Sequence, residues 1–241
     1  DRGSESRQDP AHSRPLGAHA VRSAPVTSPS LPFTKHTLDN GLDVIVHEAR
    51  QVPIVAVNIW YHVGSKNEQL GRTGFAHLFE HLMFEGSEHH PGGYFPPLQN
   101  AGGLLNGSTN TDRTNYWEVV PTSAVELALW MESDRMGYLL PAVTAQRFET
   151  QRDVVLNERR QNYENRPYGL ALMALVESLF PPDHPYNWMT IGSAEDIKAM
   201  EFEDVCEFFR TYYRPANASL VLGGDIATDR AIMDLNYFGT V

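Results

Sequence analysis

The chain has 241 residues, 41% of them hydrophobic, and a formal charge of −11. That length builds one sizeable core or at most two small ones, and an acidic balance without any basic run argues against nucleic acid as a partner. No stretch approaches the roughly 18 uninterrupted apolar residues of a membrane span, and a single cysteine, Cys206, excludes an internal disulfide and a thiolate zinc cluster.

Residues 1–32 are rich in Ser, Pro, Ala and Arg with almost no large apolar side chains, and are expected to form a disordered tail. The chain begins with Asp and lacks an apolar signal core, as expected of a soluble protein whose export signal has been removed or of a trimmed chain. Residues 33–241 are read as one domain. Two strands, 34–38 and 42–48, flank Asp39-Asn40-Gly41, whose residues readily supply positive φ, and form a hairpin. The β-branched and aromatic run at 54–63 predicts a central strand. A short apolar helix follows at about 74–84, then a helix near 94–101 whose Pro96 and Pro97 can occupy only its first turn. Residues 104–109 and 114–120 read as two more strands.

Helices dominate the second half. Ser123-x-x-Glu126 has the form of a capping box ahead of Leu127, Trp130, Met131, Met136 and Leu139, a stripe at helical spacing that reads as core packing. A long charged helix is expected at 144–165, and an apolar one at 168–180 ended by Pro181-Pro182. Ser193-x-x-Asp196 caps a short helix before another at 202–213, and 217–222 returns as a strand into Gly223-Gly224-Asp225. This order fits an α+β fold, an antiparallel or mixed sheet with helices on one face. Cys206, within Val205-Cys206-Glu207-Phe208-Phe209, is expected to be a buried structural thiol.

The chemistry concentrates in His77-Leu78-Phe79-Glu80-His81. Positions i and i+4 of a helix share one face, so both imidazoles can reach a single ion, and Glu80 projects from the adjoining strip close enough to hold a metal-bound water. A charged trio in an otherwise apolar helix is costly to bury unless something coordinates it. The other histidines invite less: His89 and His90 are expected to be a solvated loop pair, and His62 and His184 to bond neighbouring backbone or turn groups.

The run from Gly71 to Ser87 resembles the pitrilysin/insulinase family of zinc metallopeptidases, the inverzincins, and so does Val154-Val155-Leu156-Asn157-Glu158-Arg159-Arg160. Further matches, among them Trp60-Tyr61-His62-Val63-Gly64-Ser65, Gly102-Gly103-Leu104-Leu105-Asn106-Gly107-Ser108-Thr109, His184-Pro185-Tyr186 and Tyr213-Arg214-Pro215-Ala216-Asn217, run in the family's order from about Phe33 to the end. The resemblance implies an α/β roll and one Zn²⁺ held by His77, His81 and Glu158, with Glu80 as general base in the hydrolysis of peptides or unfolded segments. It also implies an edge strand at 104–109 that captures extended substrate by its main chain, with Asn106, Gly107 and Ser108 on the substrate side. One position departs from the pattern: Gln151, two turns before Glu158, stands where many members resemble one another in having a glutamate that supports a ligand histidine. Members of the family are built from two or more homologous domains that close over the substrate. The chain accordingly resembles an N-terminal catalytic half, completed by a C-terminal domain or a partner subunit, and alone is expected to bind zinc but to hydrolyse peptides slowly. The alternative reading is a metal-containing, non-catalytic peptide-binding or assembly subunit.

Overall fold

Residues 30–241 are described by the computed structural model, so the expected tail lies outside the described residues as far as position 29. Strand β1 (Thr34–Thr37) pairs antiparallel with β2 (Asp43–Glu48) across the Asp39-Asn40-Gly41 turn. Gly41 has φ +89°, and a Cβ there would stand 2.9 Å from Cβ of Ala216, so both conformation and space call for glycine. In β3 (Ile54–Tyr61), Val55, Val57, Ile59 and Tyr61 are buried, whereas Ile54 and Trp60 face outward. That alternation is the mark of a sheet covered on one face.

Strands β4 (Leu104–Thr109) and β5 (Thr114–Pro121) form a second hairpin, and β6 (Ala218–Gly224) closes the sheet. The strand order is β1-β2-β6-β3-β5-β4, with β2 and β6 parallel and every other pair antiparallel. The fold is therefore α+β with a mixed, mainly antiparallel sheet, as expected. β3 is central and β4 is an edge.

The helices are α1 (Phe75–Leu82), α2 (Phe95–Asn100), α3 (Val125–Tyr138), α4 (Ala145–Arg159), α5 (Ala171–Leu179), α6 (Ala194–Ala199), α7 (Phe202–Tyr212) and α8 (Thr228–Asp234). Thr144 caps α4 by accepting the amide of Arg147 at 3.2 Å, and a π-helical turn over Arg160–Glu164 extends α4 to the length expected. Ser193 caps α6 through the amide of Asp196 at 3.0 Å. None of the described helices is long and apolar enough to cross a membrane.

Two expectations are corrected. The capping box at Ser123 does not form: Pro121 leads directly into a 3₁₀ turn over Thr122–Ala124, Ala124 takes the N-cap position, and the Glu126 carboxylate accepts from the Tyr237 hydroxyl at 2.8 Å instead. The apolar helix begins at Ala171 rather than 168, because Tyr168 has φ +59°, outside helical space. Helix α8 and the 3₁₀ turn after it, Leu235–Thr240, were not anticipated. Their signal was present but short: Ala231, Leu235 and Phe238, buried against the core, follow the i, i+4, i+7 pattern.

Buried apolar side chains run between the inner sheet face and α1, α3, α4 and α7. Cys206 is buried there as expected. Within α3, however, the consecutive residues Glu132, Ser133, Asp134 and Arg135 are all buried, which the apolar stripe did not foretell. Arg135 binds the Glu132 carboxylate through Nε at 2.9 Å and also through Nη2. Its guanidinium carbon lies 4.0 Å from the ring centre of Tyr94 and 4.2 Å from that of Tyr116, a cation held between two aromatic faces. Burial and the nearby Glu132 charge push the carboxyl of Glu118, also buried in this cluster, well above its ordinary value. Removing one partner of such a pair strands the other, and Arg135→Met should lower unfolding free energy by about 3–5 kcal/mol in urea titrations. An unchanged midpoint would show that the cluster does not act as a unit.

Candidate metal centre

Helix α1 owes its orientation to Phe75, Leu78, Phe79 and Leu82, whose i, i+3, i+4, i+7 spacing puts all four into the core. Phe79 packs with ring centres 5.6 Å from Phe209 and 5.2 Å from Tyr213, which ties the helix to α7. The opposite face presents His77, Glu80 and His81 to a cleft. Glu158 reaches the same cleft from the last turn of α4.

The two imidazole Nε2 atoms lie 3.4 Å apart, and Oε2 of Glu158 stands 3.6 Å from that of His77 and 3.4 Å from that of His81. Around a tetrahedral ion with nitrogen and oxygen ligands at about 2.0–2.2 Å, ligand atoms are separated by about 3.3–3.6 Å. The donor set therefore fits a zinc-sized cation. Burial, aided by His81, lowers the pKa of His77 to about 4, and the bond to His81 holds Glu158 below the usual carboxylate value. A neutral imidazole and an ionised carboxylate are the forms that bind metal. Among the described residues, this is the one trio of potential ligands brought so close together.

Glu80 lies on the wall common to two lobes of the cleft. One, of about 370 Å³, is lined by His81, Phe84, Phe95, Asn106 and Gln151 besides Glu80, and the other, of about 260 Å³, includes His77, Gly107, Glu158, Tyr163 and Thr190. Burial raises the Glu80 carboxyl above its ordinary value. The edge strand β4 runs past both lobes. There Asn106 turns its Oδ1 onto the amide of Gly107 at 2.8 Å, and Ser108 accepts from the guanidinium of Arg113 at its carbonyl, 2.7 Å, while its hydroxyl donates to Asn115. A Cβ on Gly107 would stand 3.1 Å from ring atoms of both Phe84 and Tyr116, so a side chain there fits only if those rings give by a few tenths of an ångström.

Gln151 does line the cleft, but its amide donates to Glu85 at 2.6 Å rather than to a ligand histidine, and Nδ1 of His77 is buried with no hydrogen-bond partner. His89 is exposed as expected, but its Nδ1 lies 2.6 Å from the buried Asp134, which also accepts from Ser87. Nε2 of its neighbour His90 is buried. His184 accepts the amide of Tyr186 at 3.1 Å, a turn bond as anticipated, whereas His62 meets the Ser219 hydroxyl of β6 at 3.2 Å, a partner remote in sequence.

One carboxylate escaped sequence reading. Glu68, 7% exposed, accepts the amide of Gly74 at 3.0 Å through one oxygen and that of Ala76 at 2.9 Å through the other. These amides belong to the open end of α1, where an acceptor also faces the positive end of the helix dipole. The sequence signal was slight, an acid six residues ahead of the glycine that starts a helix.

The chain matches the profile of the family described as Insulinase (Peptidase family M16) over residues 43–183. A curated relative from Helicobacter pylori, the zinc protease PqqE, is 32% identical over 80% of this chain and 44% of its own length. The crystal structure of a protease from Helicobacter pylori superposes with a TM-score of 0.81 at 30% identity, over 85% of this chain and 49% of that one. A peptidase M16 domain from Pseudomonas fluorescens, described as inactive, shares the fold with a TM-score of 0.77 at 20% identity, over 88% and 51%. The chain thus spans about half the length of these relatives.

Loss of the Glu68 acceptors would leave two buried amides unpaired at the start of the histidine-bearing helix. Glu68→Ala should therefore cost about 2 kcal/mol of stability, read as a shifted denaturation midpoint. A midpoint within error of the parent would show that water replaces the carboxylate there.

Proposed function

The chain belongs to the insulinase family, peptidase family M16, and on that footing we propose that it is the catalytic domain of a zinc metalloendopeptidase. The observation that carries this reading is the convergence of His77, His81 and Glu158 at metal-ligand spacing with Glu80 on the wall of the same cleft. A structural metal has no need of a base beside it.

In this reading His77, His81 and Glu158 hold the ion. When bound, zinc supplies Lewis acidity, which brings the pKa of a water from about 15.7 to about 7 and polarises a carbonyl. Glu80 would take a proton from the attacking water and hand it to the leaving amine as the C–N bond breaks. Burial shifts the Glu80 carboxyl upward, the direction that suits a group that both accepts and releases a proton. The free edge of β4 is positioned to take an extended peptide as an added strand, which favours peptides and unfolded segments over folded proteins. Asn106, Gly107 and Ser108 lie beside that substrate. Gln151 acts at one remove, holding Glu85 at the rim of the cleft.

Because the relatives are about twice as long, the second half of the enzyme is assigned to a homologous C-terminal domain or a partner subunit, which closes the cleft and completes substrate positioning.

The test uses the complete polypeptide. Glu80→Gln should retain stoichiometric zinc but cut unstructured peptides about 10²–10⁴-fold more slowly, and chelation should abolish parental cleavage until zinc is returned. Unaltered turnover by Glu80→Gln would remove Glu80 from catalysis. Zinc binding without cleavage by either protein would make this a peptide-binding or assembly subunit.

A further inference from the structure

Behind the cleft, one short stretch touches both helices that carry the metal ligands. Gly74, the N-cap of α1, has φ +97°, and Gly192 has φ +75°. A Cβ on Gly192 would stand 2.6 Å from Cα of Gly74 and 2.7 Å from the carbonyl oxygen of Thr73, so the two backbones cross in direct contact. The contact is pinned from both sides of Thr73. Asp196 accepts its amide at 2.9 Å and its hydroxyl at 2.6 Å, while that hydroxyl accepts the amide of Ser193 at 2.9 Å. Thr73 is 2% exposed, so these bonds are shielded from water.

The same stretch is tied to the other ligand-bearing helix. Arg159, the residue after Glu158, donates from Nη1 to the carbonyl of Gly192 at 2.7 Å. Its side chain is 14% exposed, and Nε lies 3.2 Å from the Glu164 carboxylate in the π-helical turn, an ion pair without hydrogen-bond alignment. Gly192 therefore abuts the start of the histidine helix on one side and receives the end of the glutamate helix on the other. Its neighbours Thr190 and Ile191 line the metal-side lobe of the cleft.

The geometry points to Gly192 and Arg159 as positioning residues that set the distance between the imidazole pair and the Glu158 carboxylate. Metal sites tolerate displacements of only about 0.2 Å in ligand distance, whereas helices that meet through apolar side chains can settle over larger offsets. A backbone crossing without side chains, bonded at both ends, removes that freedom. The inference rests on the metal-centre reading, and assigns to these two residues a share of zinc affinity although neither touches the ion.

In the complete polypeptide, Arg159→Gln removes the donated bond, Gly192→Ala forces the crossing apart, and Arg159→Lys keeps a donor. Thr144→Ala, which uncaps the far end of α4, serves as a control for destabilisation alone. Zinc affinity is measured by competition with a chromophoric chelator, and site geometry by the visible absorption of the Co²⁺-loaded proteins. Arg159→Gln and Gly192→Ala should weaken zinc binding about tenfold or more and alter the Co²⁺ bands, with Arg159→Lys restoring part of both. Thr144→Ala should lower the melting temperature and leave both unchanged. If Gly192→Ala fails to fold, Arg159→Gln decides the matter. Parental affinity and Co²⁺ spectrum in a folded Arg159→Gln would overturn the inference while sparing the metal centre. A parent that binds neither zinc nor Co²⁺ would overturn both.

Discussion

Three donor atoms from two helices, each within 3.6 Å of the others, set the terms for the rest of this fold. Without an ion between them, two imidazoles and a carboxylate gain little from such closeness, since every one has been partly removed from water. Holding them there requires α1 to turn one face wholly into the core and to keep its orientation and its height relative to α4. The aromatic packing of Phe79 against Phe209 and Tyr213 supplies the first, and Glu68 and Thr73 anchor the open end of the helix for the second.

Much of this was legible in the sequence because it depends on local periodicity. Strands β2 to β6, helices α1 to α7 and the pairing of His77 with His81 follow from spacings of two, or of three and four, and from caps such as Thr144 and Ser193. Glu158 was of another kind: no spacing within one helix joins it to residue 77, and it was named because of the family resemblance. What stayed hidden was settled by partners remote in sequence. Glu126 has the sequence spacing of a capping box with Ser123, yet its carboxylate goes to Tyr237, and His89, in a loop of polar residues, finds Asp134 on α3. Gln151 shows the same limit, since the helical repeat placed it on the cleft face but could not name Glu85 as its partner.

The core also divides labour. The sheet's inner face and α1 are held by apolar contact, whereas α3 brings a charged segment, Glu132 to Arg135, into the interior beneath Tyr94 and Tyr116. Tyr116 belongs to both systems: it covers the guanidinium with its face and packs edge-on against Phe84 beside the cleft. This buried ion cluster lies under β5, the strand next to the edge.

At Gly107 the edge strand comes to rest against the aromatic ring that follows the histidine helix, with a single hydrogen where any other residue would carry carbon. The aperture between strand and helix is thus gauged by the thinnest spacer a polypeptide can offer. A methyl group inserted there would press on the rings of Phe84 and Tyr116, and its cost would turn on whether those rings can yield by a few tenths of an ångström beside the helix that carries His81.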